Sequence, residues 1–195
     1  KFHYVNAEEI NDDNYLTAFT TADSPERSYL IHHTHTLVVI DKVVYVHAGA
    51  LASMFDRKWK NARERIQGIN EEMRRVLAQQ STMNGGGARL SSSDDSVIGH
   101  DGPLWTRELA SKFNLPGQCE KLYEVLQLLN AKHMVVGHTV QHKGRVNIVC
   151  ENRTRGMSLV LIDTGISAVY GGHVSAVKII DGRYMTVFYL YVVFF

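Results

Sequence analysis

His133-Met134-Val135-Val136-Gly137-His138-Thr139 is the stretch whose reading decides the fold. Its apolar run reads as a buried strand. The glycine ends that strand, and the first polar side chain beyond it points into the crevice at the sheet's edge, where α/β proteins bind ligands. Just upstream, Leu122, Val125, Leu126 and Leu129 recur at helical spacing between Cys119 and Asn130. A helix that feeds a strand is the alternation of an α/β fold. Further out, Val43-Val44-Tyr45-Val46-His47-Ala48-Gly49 repeats the pattern and ends on a second histidine. Two imidazoles presented in this way can share one metal ion. The plain alternative for each is a satisfied surface or core residue.

Two more glycine-marked segments carry polar residues suited to a site: Gly99-His100-Asp101-Gly102-Pro103-Leu104-Trp105-Thr106-Arg107 and Ile162-Asp163-Thr164-Gly165-Ile166-Ser167-Ala168-Val169-Tyr170-Gly171-Gly172. Four such segments read as one active site in pieces.

Around them, residues 30–46 read as strand-like, with Asp41-Lys42 turning a hairpin between Thr36–Ile40 and Val43–Val46. Residues 52–80 place apolar side chains three or four apart, which predicts an amphipathic helix, or two helices broken at Gly68. Residues 81–96, with Gly85-Gly86-Gly87 and a serine-aspartate run, read as a flexible surface insertion. The triple glycine lacks the Lys-Ser or Lys-Thr of a phosphate-binding loop. Strands are expected over 145–150, 158–162, 174–180 and 184–193. The apolar end, 185–195, reads as a buried strand, with a truncated membrane anchor as the alternative, since a spanning helix needs about 20 residues.

The 195 residues are 45% hydrophobic and 21% charged, which suits one soluble domain spanning the whole chain. A formal net charge of +1 gives no electrostatic case for nucleic acid or an anionic membrane. Cys119 and Cys150 show neither CxxC nor metal-ligand spacing, so they read as two free thiols in a reducing, cytoplasmic setting.

Together the four segments resemble the phosphoprotein-phosphatase branch of the calcineurin-like metallophosphoesterases, above all its bacterial-like and Shewanella-like members. The resemblance implies an α/β, layered β-sandwich flanked by helices. His47-Ala48-Gly49 matches the family's His-Gly-Gly and Gly137-His138-Thr139 its Gly-His-Thr, so His47 and His138 are the implied ligands of one metal ion. Leu104-Trp105-Thr106-Arg107 resembles the segment whose arginine holds the substrate phosphate, a role that suits a guanidinium fork. Tyr170 is an implied substrate contact, and Asp163 either orients a ligand histidine or caps a turn. Ala48 departs from the family glycine.

Phe2-His3-Tyr4-Val5-Asn6-Ala7-Glu8-Glu9 resembles the stretch that follows the Gly-Asn-His-Glu motif of the Shewanella-like group, so the chain reads as the carboxyl-terminal part of a catalytic domain, incomplete at its amino terminus. Three motifs expected upstream are not in it. His32, His33 and His35 offer a compensating metal site only if they share a strand face. The implied activity is hydrolysis of phosphoesters by a water activated between two divalent or trivalent ions (Mn, Fe or Zn). A phosphoprotein, on Ser/Thr or Tyr, is the expected substrate, and a nucleotide or other small phosphoester the alternative. The 195 residues alone are expected to be inactive. A non-catalytic binding or regulatory module, using the basic helix over 52–80, is the contrasting reading, and no regulatory partner is implied.

Overall fold

A computed structural model describes residues 24–79 and 95–190. The Phe2–Glu9 stretch, most of the 81–96 insertion and the last five residues of the apolar run lie outside them.

The first element among the described residues is helix α1, Pro25–His33. Ser24 caps it by accepting the Arg27 N–H at 3.1 Å, and Pro25 occupies the first turn, where its missing N–H costs nothing. This corrects the strand-like reading of residues 30–33: Leu30 to His33 complete a helix, and His32 turns its Nδ1 back to the Ser28 carbonyl at 2.7 Å. His32, His33 and His35 therefore do not line one strand face.

Strands β1 (Leu37–Ile40) and β2 (Val43–Val46) form the expected hairpin. Asp41 and Lys42 both take positive φ, 49° and 66°, as a two-residue type I′ turn requires. Helix α2, Ala62–Gln79, follows a short 3₁₀ turn at Ala52–Met54 and an irregular segment. The interruption predicted at Gly68 falls instead before Ala62, and Gly68 sits inside a continuous helix. Its lack of a side chain makes room for the Trp59 indole, against which a Cβ would collide. Two short helices, α3 (Asp95–Ile98) and α4 (Glu108–Lys112), lead to α5, Gln118–Leu128. Asp95 and Ser96, read from sequence as loop, open α3.

The central sheet has the order β1-β2-β3-β5-β4, with β3 at His133–Val136, β4 at Asn147–Asn152 and β5 at Met157–Leu161. β2, β3 and β5 run parallel, in the register Val46↔Val136 and Val136↔Leu161. The edge strands β1 and β4 are antiparallel to their neighbours. The period of two explains the apolar runs. Val44, Val46, Met134, Val136, Leu159 and Leu161 face the core built with α2, α4 and α5. Val43, Val135 and Val160 face the other way, where Ile179 and Met185 cover them. Those two belong to a two-stranded sheet, β6 (Ser175–Ile180) and β7 (Tyr184–Tyr189). Gly182, in its turn, packs so tightly on the Asp41 carbonyl that a Cβ has no space. The result is a mixed α/β fold with helices on one face of the main sheet and a β-ribbon on the other.

Two side-chain ties were not readable from the sequence. Asn70, 4% exposed, accepts the Thr36 and Leu37 N–H groups at 2.7 and 3.1 Å and donates to the Leu37 carbonyl at 2.8 Å. It thereby satisfies the outer edge of β1 from α2. Cys119 and Cys150, expected as free thiols, form a disulfide between α5 and β4 with their Cα atoms 5.2 Å apart. Their separation of 31 residues hid the pairing, because only folding brings α5 against the β4 edge. Among the described residues no helix is long and apolar enough to cross a membrane.

Candidate functional site

The parallel register does what the two histidine motifs require. With Val46 beside Val136, the next residues are neighbours too, and the Gly137 N–H donates to the His47 carbonyl at 2.8 Å. The imidazoles of His47 and His138 leave the same end of adjacent strands with their centroids 5.0 Å apart. β5 ends level with them: the Ile162 N–H donates to the Val136 carbonyl at 2.9 Å, which carries Asp163 alongside His138.

The segment 99–107 closes the site from the helical side. The Ala48 N–H donates to the Pro103 carbonyl at 2.9 Å, and the Gly102 carbonyl accepts from both Trp105 and Thr106 at 3.1 and 2.9 Å. Gly102 is required here, since a Cβ would strike the Val97 carbonyl. Thr106 is 2% exposed and anchors the turn, which leaves Arg107 in solvent at the start of α4. Trp105 meets the His138 ring edge-on, with centroids 5.4 Å apart at 89°, and the His100 ring at 6.4 Å.

His138 is the centre of the arrangement. Its backbone takes φ 60°, a left-handed conformation uncommon for a side chain larger than glycine. Burial holds its pKa below the usual histidine value, and the nearby Arg107 and His47 push the same way, against Asp163 and the Trp105 backbone. The net effect favours the neutral ring. Its Nε2 is buried with no hydrogen-bond partner, and so is the Thr139 hydroxyl beside it. A neutral imidazole whose nitrogen lone pair is not engaged by a hydrogen-bond donor is the ligand a transition-metal ion takes. The residues present fit a metal in that respect. They do not complete its coordination, because among the described residues no group of three or more His, Cys, Asp or Glu converges.

Of the residues expected from the sequence, His47, His138, Arg107 and Asp163 come together. The Asp163 Oδ1 accepts the Gly165 N–H at 3.1 Å, so the carboxylate caps its own turn while its charge acts on His138. Tyr170 rides the following loop with its side chain 65% exposed. The sequence pattern assigns Trp105 no role, and its contact with His138 depends on how the turn at Gly102 folds back. A cavity of about 640 Å³ lies elsewhere, at the opposite end of the strands, lined by the Asp41-Lys42 turn, Arg63 and Asp181.

The basic face of α2 is partly committed to structure. Arg65 donates to the Leu128 carbonyl at 3.0 Å and Arg75 pairs with Glu72 at 2.7 Å.

Fold and site together define a mixed α/β architecture with an imidazole–guanidinium centre at the strand ends. More particularly, the chain is similar to the Shewanella-like protein phosphatases. It is 27% identical over 177 residues to Shewanella-like protein phosphatase 1 of Plasmodium berghei, covering 85% of this chain and 43% of that protein. It is 26% identical over 147 residues to Shewanella-like protein phosphatase 2 of Arabidopsis thaliana, covering 74% of this chain and 32% of that protein. The chain thus spans less than half the length of the curated relatives it matches. Among solved structures, a cold-active protein tyrosine phosphatase superposes with a TM-score of 0.55 at 20% identity, over 94% of this chain and 52% of the other. The cold-active protein-tyrosine phosphatase of a psychrophile Shewanella species gives 0.52 at 19%, over 94% and 53%. No protein-family profile matches the chain.

Proposed function

We propose that this chain is the carboxyl-terminal part of a metal-dependent phosphoester hydrolase, acting on phosphoproteins at Ser/Thr or Tyr. The observation that carries the reading is the convergence on His138, whose buried, unpartnered Nε2 lies in a cluster with His47, Arg107 and Asp163. His47 and His138 would hold one ion through neutral imidazole nitrogens. When bound, divalent or trivalent metal (Mn, Fe or Zn) supplies positive charge to phosphoryl oxygens and acidifies water.

The chain's own residues do the rest. Arg107, free of the core, donates its guanidinium N–H groups to the phosphoryl oxygens, where charge builds during transfer. Asp163 offsets part of the positive charge that Arg107 and His47 exert on His138. The next residue, Thr139, has a buried hydroxyl that is likewise without a partner. Tyr170 stands exposed on the loop after β5, available to the protein part of the substrate. The finer architecture belongs to the same reading: the β-ribbon on the main sheet is one portion of a layered sandwich that further strands complete.

Two imidazoles do not suffice for a catalytic ion, so the 195 residues alone lack turnover. The test is Mn²⁺-stimulated hydrolysis of p-nitrophenyl phosphate by this chain and by any longer natural product containing it. Turnover in the longer form that is lost with Arg107→Ala and His138→Ala supports the reading. Turnover in the longer form that survives both substitutions overturns it, and turnover in the short form that His138→Ala removes overturns the claim of inactivity.

A further inference from the structure

Asn152-Arg153-Thr154, where β4 turns into β5, is an Asn-x-Thr triplet, the acceptor pattern of an N-linked glycan. None of the chain's other asparagines has Ser or Thr two residues on. Asn152 pairs with Met157 at one end of β5, whereas Leu161, level with Val136, marks the other end, where His47 and His138 lie. Asn152 is partly exposed, and Arg153 to Gly156 form a fully exposed turn. The space around that turn is open: a Cβ built on Gly156, at φ 61°, would meet nothing within 4 Å. The Asn152 Oδ1 accepts the Arg155 N–H at 2.9 Å, which fixes the amide and leaves its Nδ2 without a hydrogen-bond partner among the described residues. From the other side, the Lys132 Nζ holds the turn by donating to the Arg155 carbonyl at 2.7 Å.

A second, independent feature sits on the same strand. Cys150, two residues before Asn152, is bridged to Cys119. Disulfides persist in oxidising compartments and are rare in the cytosol. The expectation of a cytoplasmic chain rested on two free thiols, and the bridge removes that ground. We propose that Asn152 is an N-glycosylation site and that the chain matures along the secretory route, in the oxidising compartment where its disulfide persists. The donor is a lipid-pyrophosphate-linked oligosaccharide. The Asn152 Nδ2 attacks the anomeric carbon of the first sugar: the C–N bond forms and the C–O bond to the pyrophosphate breaks. The lipid pyrophosphate leaves with that electron pair, the amide gives up one proton, and nothing is oxidised or reduced. A glycan here is bulky and stands at the surface, and it leaves the strand ends at His47 and His138 open. The inference does not depend on the phosphatase reading.

One peptide reads both features. Trypsin cuts after Arg145 and Arg153, so Val146–Arg153 carries Cys150 and Asn152 together, and the bridge joins it to Phe113–Lys121. The protein, isolated from its natural source, is treated with peptide N-glycosidase F in heavy-oxygen water and then digested without reduction. The expected product is the bridged pair with position 152 converted to an aspartate that carries heavy oxygen. In the natural product expressed in its own host, the same enzyme gives the wild type a single step in gel mobility. Thr154→Ala, which leaves the Asn152 side chain and its cap on Arg155 in place, abolishes that step. Thr154→Ser keeps it, and Asn152→Gln loses it.

Unlabelled asparagine at position 152 throughout the natural protein overturns the site, whether or not the cysteines are bridged. A mobility step that survives Thr154→Ala overturns it as well. A glycan on Asn152 in a protein whose Cys119 and Cys150 react with iodoacetamide leaves the site standing and overturns the shared oxidising compartment.

Discussion

Reducing the Cys119–Cys150 bridge is the most quantitative perturbation this structure offers. The bridge closes 31 residues between α5 and β4. In the chain-entropy account, cross-linking a loop of that length removes about 12 cal/mol/K from the unfolded ensemble, or about 3.7 kcal/mol at 25 °C. A domain of this size has a total stability of roughly 5–15 kcal/mol, so the loss is a large share of it. Both sulfurs also pack against the main core, beside residues of α5 and β4. The Cys119→Ala/Cys150→Ala double variant therefore loses some packing as well as the cross-link, whereas dithiothreitol removes the cross-link alone. The assay is urea unfolding followed by circular dichroism, with and without reductant, alongside the double variant. A drop of about 2–4 kcal/mol on reduction, with the reduced wild type and the double variant within about 1 kcal/mol of each other, fits the account. Equal midpoints with and without reductant, or iodoacetamide labelling of both thiols in the untreated native protein, would refute it.

Gly68→Ala reverses the usual sign for a helix interior. The intrinsic gain of about 1 kcal/mol is outweighed by overpacking against Trp59, typically 1–3 kcal/mol, so urea unfolding should show net destabilisation and a stabilised variant would contradict the packing. Glu108, paired with Lys112 and Lys121, has its carboxyl pKa lowered from 4.5 to about 2 by those hydrogen bonds. A lowered carboxyl pKa stabilises the fold above the unfolded value and loses that contribution as pH falls through the folded one. Glu108→Gln should melt below wild type at pH 7 by a modest margin, about 1 kcal/mol or less per exposed pair, and the gap should close between pH 4.5 and about 2. A gap that widens on acidification would contradict the pairing.

What the sequence disclosed and what it hid divide along physical lines. The runs Val43–Val46 and Met134–Val136 were legible because parallel strands buried on both faces must be apolar throughout. Their terminal histidines were legible because polarity begins where burial ends. Helix α1 carried its own signal, Ser24-Pro25-Glu26, yet the β-rich stretch that follows drew its last turn into the strand reading. The bridge between Cys119 and Cys150, the room that Gly68 leaves for Trp59 and the Asn70 clasp on β1 are tertiary facts with no local pattern. The left-handed backbone of His138 and the indole braced on its ring belong with them. The indole's place follows from how the turn at Gly102 returns to the strand ends, which no periodicity encodes.

Whether His138 is a metal ligand is answered most directly by an anomalous difference map from crystals grown with Mn²⁺, of this chain or of a longer natural product that contains it. The account predicts a manganese peak within bonding distance of the His138 Nε2 and the His47 imidazole, abolished by His138→Ala. A fully occupied manganese site elsewhere, with the His138 Nε2 still unliganded, would contradict it.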